Sequence, residues 1–496
     1  MKLAETSVKR PVTVIMAVLI TILLGTVSLT RLPIDLFPDF ELPMAVVMTT
    51  YSGVGPQEIE KLITSPIEGA VSATENIDSV TSTTTEGNSV VMVTFKSGTD
   101  MNFATLQMRE KIDMIKGFLP DGAGAPMVLK LDISMMPVMQ LTLTSDNADL
   151  AQLQAIAEDE IKPRIERVKG VASVSVNGGY TNQVKIKVHQ EKLQGYGLSI
   201  STLSGILAAE NMNSPAGEVQ KGNQDLTIRT TGEFQSLEEI ENILIPLNTG
   251  GQVRLKDIAD VEMGHADITS ISRTNGKESV SISIQKQSGT NTVSVVDEIN
   301  KAISELKTQF PGIQLDTVYD ESVYIKETIK TVFREAIVGA LLAIIVLFIF
   351  FHNLRTTFIT ATAIPIAVMF AFACLYFLDV SINLMTLGGL SLAMGRLVDD
   401  NIVALENIYR HREAGYSKFD AAVKGVSEVG MAITASTLTT VAVFLPIVFV
   451  EGLTATLFRD LALTVAVSLG ASLLVSLTLV PALSNIIMKV GEIPQG

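Results

Sequence analysis

Six stretches of this 496-residue chain contain no charged residue, and they limit the folds that it can adopt. They cover residues 11–30, 336–351, 356–378, 380–395, 429–450 and 461–488. A membrane-spanning helix needs roughly 17–25 mostly apolar residues, so most of the stretches are long enough, and the second and fourth borrow flanking residues. The pattern predicts a membrane protein with a bundle of six transmembrane helices.

The charged residues of the chain are concentrated between the first two apolar stretches. Residues 31–332 contain 25 Lys and Arg against 40 Asp and Glu, which accounts for the whole net charge of −15. An acidic block of this kind argues against nucleic-acid binding. Lys and Arg gather at the ends expected to face the cytoplasm, so we predict that both termini are cytoplasmic and that residues 31–332 are extracytoplasmic.

The acidic block has the sequence pattern of alternating strands and helices. We predict a first βαββαβ unit with strands at 45–51, 80–85, 89–95 and 128–131 and helices at 55–73 and 102–119. A second unit is predicted with strands at 138–144, 281–285 and 314–318, helices at 150–168 and 292–308, and a hairpin of 172–176 with 184–188. Residues 190–275 interrupt this second unit as an insertion with its own helix at 201–211. The predicted fold class is therefore a membrane helical bundle plus an extracytoplasmic α+β domain with two ferredoxin-like repeats.

The fourth apolar stretch runs directly into three charged residues, Arg396, Asp399 and Asp400. Spacings of three and four residues place them on one face of a helix. An ionised carboxylate in the bilayer costs several kcal/mol, so such groups face a bundle interior and mark ion pathways. We predict that the two aspartates form a proton or ion site. Arg396 either serves as their counter-ion, or extends its charged end towards the membrane interface, or bonds to backbone carbonyls of another helix.

Other candidate residues are weaker. Glu406 lies about two helical turns beyond the aspartates, where it lines a proton exit or is solvated at the helix end. Met135 and Met136 begin the second unit and either fill its core or line a substrate pocket, because methionine adapts to varied apolar ligands. The sequence has no phosphate-binding loop and its four histidines are scattered, so we expect no ATP coupling, no bound metal and no enzymatic activity.

Several short motifs together resemble the N-terminal half of a resistance-nodulation-division (RND) efflux pump of the hydrophobe/amphiphile class. They are Lys-Arg-Pro at 9–11, Leu-Pro-Ile-Asp-Leu-Phe-Pro at 32–38, Tyr-Ser-Gly-Val-Gly at 51–55, Phe-Lys-Ser-Gly-Thr-Asp at 95–100, Phe-His-Asn-Leu-Arg at 351–355, Gly-Arg-Leu-Val-Asp-Asp at 395–400, Glu-Asn at 406–407 and Val-Pro-Ala at 480–482. The resemblance extends over almost the whole chain.

The resemblance implies the domain organisation and the roles of the parts. Residues 1–31 would form the first span, 32–135 the first porter subdomain, 136–189 with 276–330 the second, 190–275 a docking-type insertion, and 331–490 spans two to six. Asp399 and Asp400 would carry protons, without a cofactor other than the proton gradient. Expected partners are membrane lipids, amphiphilic small molecules, a second transporter half or further copies in a trimer, and a periplasmic adaptor in a bacterial inner membrane.

Two features depart from the familiar pattern of that family. The position of Arg396 is apolar in the best-known Gram-negative pumps, and Gly-Arg-x-Val-Asp-Asp looks more like Gram-positive members. Family members are also about twice as long, and their second half supplies a lysine that pairs with the aspartates. We therefore expect either a truncated product or a half-transporter that pairs with another subunit.

The sequence thus favours a proton-driven exporter of hydrophobic or amphiphilic compounds. Three alternatives stay open. The chain could export a lipid or cell-wall precursor on the same scaffold. It could be an accessory subunit of protein secretion, which has a related six-span architecture. It could also be a non-transporting sensor or receptor that uses a similar bundle to bind a sterol.

Overall fold

The structure is a computed structural model, and it describes residues 2–38, 41–212, 214–221, 224–230, 232–247, 250–268, 270–351, 354–450 and 452–488. The chain begins with two helices, α1 (Lys2–Lys9) and α2 (Pro11–Arg31). Pro11 occupies the first turn of α2, where its missing N–H is not needed by the helix. The apolar side chains of α2 are mostly exposed, as expected for a helix that faces lipid.

The first α/β unit is a four-stranded antiparallel sheet covered by helices on one face. Its elements are β1 (Glu41–Thr50), α3 (Pro56–Ile59), a π-helical turn (Glu60–Thr64), α4 (Ser65–Val71), β2 (Ile77–Thr85), β3 (Asn88–Phe95), α5 (Met101–Ile115) and β4 (Met127–Asp132). The strand order is β2-β3-β1-β4. Alternate residues of β3, such as Val91 and Val93, are fully buried against Ile63 and Met108 of the helices. All the strands and helices predicted here from residue periodicity are present, with shifted ends.

The second unit starts in the same way. Its first elements are β5 (Met139–Thr144), α6 (Leu150–Ile156), a π-helical turn (Ala157–Ile161), α7 (Lys162–Glu166) and β6 (Val171–Asn177). A full capping box begins α6, because the Asp149 carboxylate accepts the Gln152 N–H and the Gln152 side chain accepts the Asp149 N–H. The π-helical turn lies at the same place in both units, between the two α-helical segments that follow the first strand.

A long insertion follows β6 and forms separate small sheets. Its elements are β7 (Asn182–Val188), α8 (Gln190–Gly195), α9 (Ile200–Glu210), β8 (Ser214–Lys221), β9 (Gln224–Thr230), α10 (Leu237–Glu241), β10 (Leu244–Pro246), β11 (Gln252–Arg254), α11 (Leu255–Ile258), β12 (Ala259–His265), β13 (Arg273–Thr274) and β14 (Lys277–Glu278). The predicted helix at 201–211 is α9. A compact apolar cluster that includes Leu203, Ile245 and Leu255 holds this region together.

The predicted hairpin of 172–176 with 184–188 is wrong. β6 pairs with a later strand, β15 (Val280–Lys286), whereas β7 pairs with β12 of the insertion. Opposite charges face each other across the pair of β7 and β12, since Lys185 and Lys187 lie opposite Glu262 and Asp260, and the Lys187 Nζ lies 2.5 Å from Glu262 Oε1.

The second unit is completed after the insertion by β15, α12 (Thr292–Gln309) and β16 (Gln314–Asp320). Its sheet has the order β16-β5-β15-β6, which is the order of the first sheet once the strands are counted within each unit. The core of the unit contains the fully buried residues Leu141, Ile282 and Ile299.

Five long helices follow, and the residues described after β16 form no further sheet. They are α13 (Glu321–Phe351), α14 (Leu354–Phe377), α15 (Leu384–Glu413), α16 (Lys418–Val448) and α17 (Leu453–Ile487). Within the described residues, four helical segments are long and apolar enough to cross a membrane, namely Pro11–Arg31, Thr357–Phe377, Lys418–Val448 and Thr454–Ile487. The chain is therefore a membrane protein with a mixed α/β domain. That α13 and α15 also cross the membrane stays a prediction.

Small and hydroxylated residues allow α15 and α17 to approach closely. Thr464, Ser468, Ser472 and Ser476 recur every four residues along α17, and all four are fully buried. On α15, a Cβ atom added to Gly389 would lie 2.8 Å from the Leu461 carbonyl oxygen of α17. Such residues are the usual means of close packing between helices in membranes.

Candidate functional site

Helix α15 carries the three charged residues found in the sequence. The helix begins at a capping box in which the Asn383 Oδ1 accepts the N–H groups of Met385 and Thr386, and the Thr386 hydroxyl accepts the Asn383 N–H. The Asn383 Nδ2 also donates to Asp460 Oδ2 on α17 at 3.0 Å. The start of α15 is thereby fixed to a second helix, and Asp400 lies about 24 Å farther along the α15 axis.

Asp400 is the buried member of the aspartate pair. Its side chain is only 5% exposed, and its Oδ2 accepts a hydrogen bond of 3.4 Å from the Thr437 hydroxyl of α16. The Ser472 hydroxyl of α17 lies in the same region and donates to the Leu397 carbonyl at 3.3 Å. Asp399, by contrast, is exposed on the surface of this chain. Adjacent aspartates therefore have different environments.

Arg396 bonds across to α16. Its Nη2 donates to the Ser436 hydroxyl at 2.6 Å and lies 3.5 Å from the Thr440 hydroxyl. In the part of the chain that the structure describes, the guanidinium makes no ion pair within 4.0 Å with either Asp399 or Asp400. The geometry agrees with the predicted bond to another helix, although the acceptors are hydroxyls rather than backbone carbonyls.

The three charged residues nevertheless share one cavity. It has a volume of about 380 Å³ and is lined by Arg396, Asp399, Asp400, Ile402, Val403, Ala432, Ile433 and Ser436. The spacing argument from the sequence is consistent with this shared lining. A cavity with a carboxylate pair and a guanidinium can bind and release a proton, because the charge of one group changes the cost of charging the others.

Sequence reasoning missed the polar partners of these residues. Thr437, Ser436 and Ser472 lie on other helices, and hydroxyl side chains are common in membrane helices, so nothing local distinguishes them. Asn401 was also missed. It is fully buried, its Nδ2 donates to the Leu397 carbonyl at 2.6 Å, and its Oδ1 has no hydrogen-bond partner among the described residues. A buried unsatisfied oxygen of this kind beside the aspartates is a place where water is expected.

Glu406 is not part of this cavity. Its side chain is exposed on α15, about 9 Å beyond Asp400 along the helix axis. That Glu406 lines a proton exit stays a prediction.

The two methionines lie far along the chain from α15, at the start of the second α/β unit. Met136 lines a second cavity of about 470 Å³, whose wall also includes Phe37, Val138 and Tyr319. Met135 is exposed, and its carbonyl accepts a hydrogen bond of 2.5 Å from Gln285 Nε2. The structure thus assigns only Met136 to a cavity wall.

Three charged side chains line one side of this second cavity, namely Asp35, Lys286 and Glu321. The Lys286 Nζ lies 2.9 Å from Asp35 Oδ1. Burial and the nearby Asp35 charge together raise the pKa of Glu321 to about 7, and Lys286 opposes part of that rise. Lys286 thus pairs directly with Asp35, and Glu321 lines the same cavity.

Comparison with known proteins places the chain in a family. Residues 3–495 match the AcrB/AcrD/AcrF family. The multidrug resistance protein MdtC of Pectobacterium carotovorum is 32% identical over 97% of this chain and 47% of its own length. MdtC proteins of Yersinia enterocolitica (31% identical, 97% of the chain and 47% of the relative) and Escherichia coli O1:K1 (32%, 99% and 48%) are similar. The chain spans about half the length of these curated relatives, and it belongs to the AcrB/AcrD/AcrF family of RND efflux pumps.

Proposed function

We propose that this chain contributes one half of a proton-driven exporter of hydrophobic or amphiphilic compounds. Proteins of its family are transporters rather than enzymes, and the relatives compared above are named for multidrug resistance. The observation that carries the proposal is the burial of Asp400 beside Thr437 in a helix that also bears Arg396 and Asp399. Cofactors other than the proton gradient are not required by this mechanism.

The proposed cycle depends on the difference in free energy between burying Asp400 in its charged form and burying it in its neutral form. An ionised carboxylate buried among helices is unfavourable unless a cation or several donors face it, whereas the protonated form is tolerated. Proton uptake from the extracytoplasmic side would remove that charge and release α15 from the helices that face it. A proton moving down 100 mV supplies about 2.3 kcal/mol, which is enough to change a two-state population substantially.

The remaining parts receive roles from the family. We infer that residues 32–135 and 136–189 with 276–330 are the porter subdomains, and that the insertion at 190–275 docks onto neighbouring protomers of a trimer. The cavity at Met136 is the proposed substrate-binding wall on this chain, since Phe37, Val138 and Met136 offer apolar and adaptable contacts. We place the transporter in the bacterial inner membrane, with both termini cytoplasmic, six spans in this chain and a periplasmic adaptor as partner.

The test is to replace each aspartate by asparagine. Asp400→Asn and Asp399→Asn keep nearly the same volume but cannot titrate, so we expect each to reduce proton-driven dye efflux by about 100-fold or more. Efflux is measured in lipid vesicles that contain the complete transporter and carry an imposed pH gradient. Glu413→Gln, an exposed change at the far end of the same helix, should export at the wild-type rate.

Folding is checked in parallel, because a misfolded variant would lose efflux whatever the role of its aspartate in proton coupling. Each variant should elute from size-exclusion chromatography as the wild-type does and have the same far-UV spectrum. Wild-type efflux from both asparagine variants would overturn the assignment of the proton site.

A further inference from the structure

The segment Leu32–Pro38, here called the linker, joins α2 to the first α/β unit and lies along the start of α15. Its backbone pairs with residues 380–384. The Asp35 N–H donates to the Ile382 carbonyl at 3.0 Å, the Ile382 N–H donates to the Pro33 carbonyl at 2.9 Å, and the Leu384 N–H donates to the Leu36 carbonyl at 3.2 Å. These bonds make the linker follow any displacement of the first turn of α15.

The side chain of Asp35 points away from this pairing and into the second α/β unit. Its Oδ1 lies 2.9 Å from Lys286 Nζ at the end of β15 and accepts the Thr292 hydroxyl of α12 at 2.6 Å. The Thr292 N–H donates to the Ile34 carbonyl at 3.0 Å, so backbone and side chain of the linker hold the same helix start.

This contact is shielded from solvent. The Asp35 and Lys286 side chains are 18% and 11% exposed, respectively. A shielded pair is screened little by salt, and removing one partner strands a buried charge, so it resists separation far more than a surface pair does. By contrast, the pair between Lys326 of α13 and Asp297 of α12 has side chains that are 46% and 49% exposed. The second pair offers a natural control on the same helix α12.

The Asp35 backbone is therefore bonded to Ile382, just before the start of α15, and the Asp35 carboxylate is bonded to the second unit. Asn383 lies next to Ile382, caps α15 and bonds to Asp460 of α17. A continuous series of bonds thus runs from the second unit to the helix that carries Asp399 and Asp400.

We propose that Asp35 is a positioning residue that transmits the state of the Asp399 and Asp400 site to the cavity of the second α/β unit. The inference rests on the function proposed above, because it requires that those aspartates change state. Asp35 touches neither the proton site nor a substrate in this scheme. It acts through the linker and through Lys286 and Thr292.

The test is a double-mutant cycle read out as thiol accessibility in the 496-residue chain in lipid nanodiscs. Cys374→Ser removes the only thiol, and Gln140→Cys introduces one in the cavity wall, where the side chain is half-buried. Asp400→Asn imitates the protonated site at a fixed pH of about 8, so Glu321 keeps one charge state throughout. The rate of maleimide labelling is compared with and without Asp400→Asn in three backgrounds: wild-type Asp35, Asp35→Ala and Asp297→Asn.

We expect Asp400→Asn to change the labelling rate by about fivefold or more when Asp35 is present, and by less than about 1.5-fold in the Asp35→Ala background. The Asp297→Asn background should retain the full change. The quantity compared between backgrounds is the ratio of the labelling rates with and without Asp400→Asn. A direct structural effect of Asp35→Ala on the nearby cavity changes both rates alike and so cancels in this ratio.

Other outcomes decide against the inference. An equal response to Asp400→Asn with and without Asp35 would overturn the role of Asp35 and leave the proposed proton site intact. No response in any background would overturn both. If Asp35→Ala does not fold, Lys286→Met breaks the same pair from the other side and carries the same expected result.

Discussion

Two aspartates that are largely shielded from solvent, Asp35 and Asp400, have different surroundings. Asp35 has a lysine ammonium and a threonine hydroxyl on one carboxylate oxygen. Asp400 has the Thr437 hydroxyl at 3.4 Å and the Ser472 hydroxyl of α17 nearby, and Arg396 is bonded to α16 instead. The first arrangement places a cation directly against the carboxylate, whereas the second places hydroxyl groups against it. Residue type alone therefore does not distinguish a carboxylate in a direct ion pair from one that faces hydroxyl groups.

Glu321 gives a prediction at this scale, because its folded-state pKa of about 7 lies above the ordinary value of 4.5. The folded protein holds this proton more tightly than the unfolded chain, so the free energy of unfolding falls as pH rises from about 4.5 to about 7. Glu321→Gln should remove that fall and stabilise the protein above pH 7 by about 1–2 kcal/mol, with solvent screening considered. Thermal unfolding followed by far-UV ellipticity from pH 4.5 to 8 measures the difference.

A matched control for Glu321→Gln lies two turns along the same helix. Glu327 has a side chain that is 65% exposed beside Lys330, so Glu327→Gln should leave the pH dependence unchanged. Identical pH profiles for wild-type protein and Glu321→Gln would show that burial of Glu321 does not affect its titration.

At the scale of elements, local patterns predicted the strands and helices of the two α/β units, but they predicted only one helix of the insertion and not every strand partner. Periodicity located β1 to β6 and predicted a hairpin of 172–176 with 184–188. Gly178 has a positive φ of 90°. The strand partner of β6 is nevertheless β15, more than 100 residues away, because an insertion separates them. Turn chemistry reports a change of chain direction, and it carries no information about pairing at such distances.

The candidate site was predictable to the extent that it consists of charges inside apolar sequence. Arg396, Asp399 and Asp400 are conspicuous for that reason. Asp35 is not, since a carboxylate after a membrane helix is ordinary in sequence. Its importance follows from Lys286 and Thr292, which lie about 250 residues later in the chain.

Helix packing supplies the prediction at the element scale. Gly389→Ala places a methyl group 2.8 Å from the backbone carbonyl of Leu461, which cannot move without shifting α17, so we expect destabilisation by about 1–3 kcal/mol. Gly388→Ala is the matched control, because no atom lies within 4 Å of its added Cβ. It should be neutral or slightly stabilising, since alanine favours helix over glycine. Melting temperatures in one detergent compare the two, and equal values would refute close α15–α17 packing at Gly389.

At the scale of the whole molecule, the exposed surface of the helices contains two kinds of residue. Apolar side chains such as Leu438 and Val443 of α16 are 60% and 69% exposed, and lipid can cover them at no cost. Asp399 is also exposed, about 23 Å along α15, where lipid is a poor neighbour for a carboxylate. The exposed carboxylate of Asp399, rather than the exposed apolar side chains, therefore favours a protein partner on this face.

We predict that the chain, expressed alone, associates through its membrane helices and does not transport as a monomer. Asp399 shares a cavity with Arg396 and Asp400, and a second copy that covers the exposed side of Asp399 adds further polar neighbours, whereas lipid adds none. Asp399→Leu removes the charge and should shift the population towards the monomer of 53.3 kDa. Leu438→Ala removes exposed apolar area and should leave association unchanged. Light scattering in a mild detergent, with dye efflux from vesicles of the same protein, measures both properties. A wild-type monomer that pumps as fast as a relative of full length would refute the prediction, and equal association of the wild-type chain and Asp399→Leu would refute its physical cause.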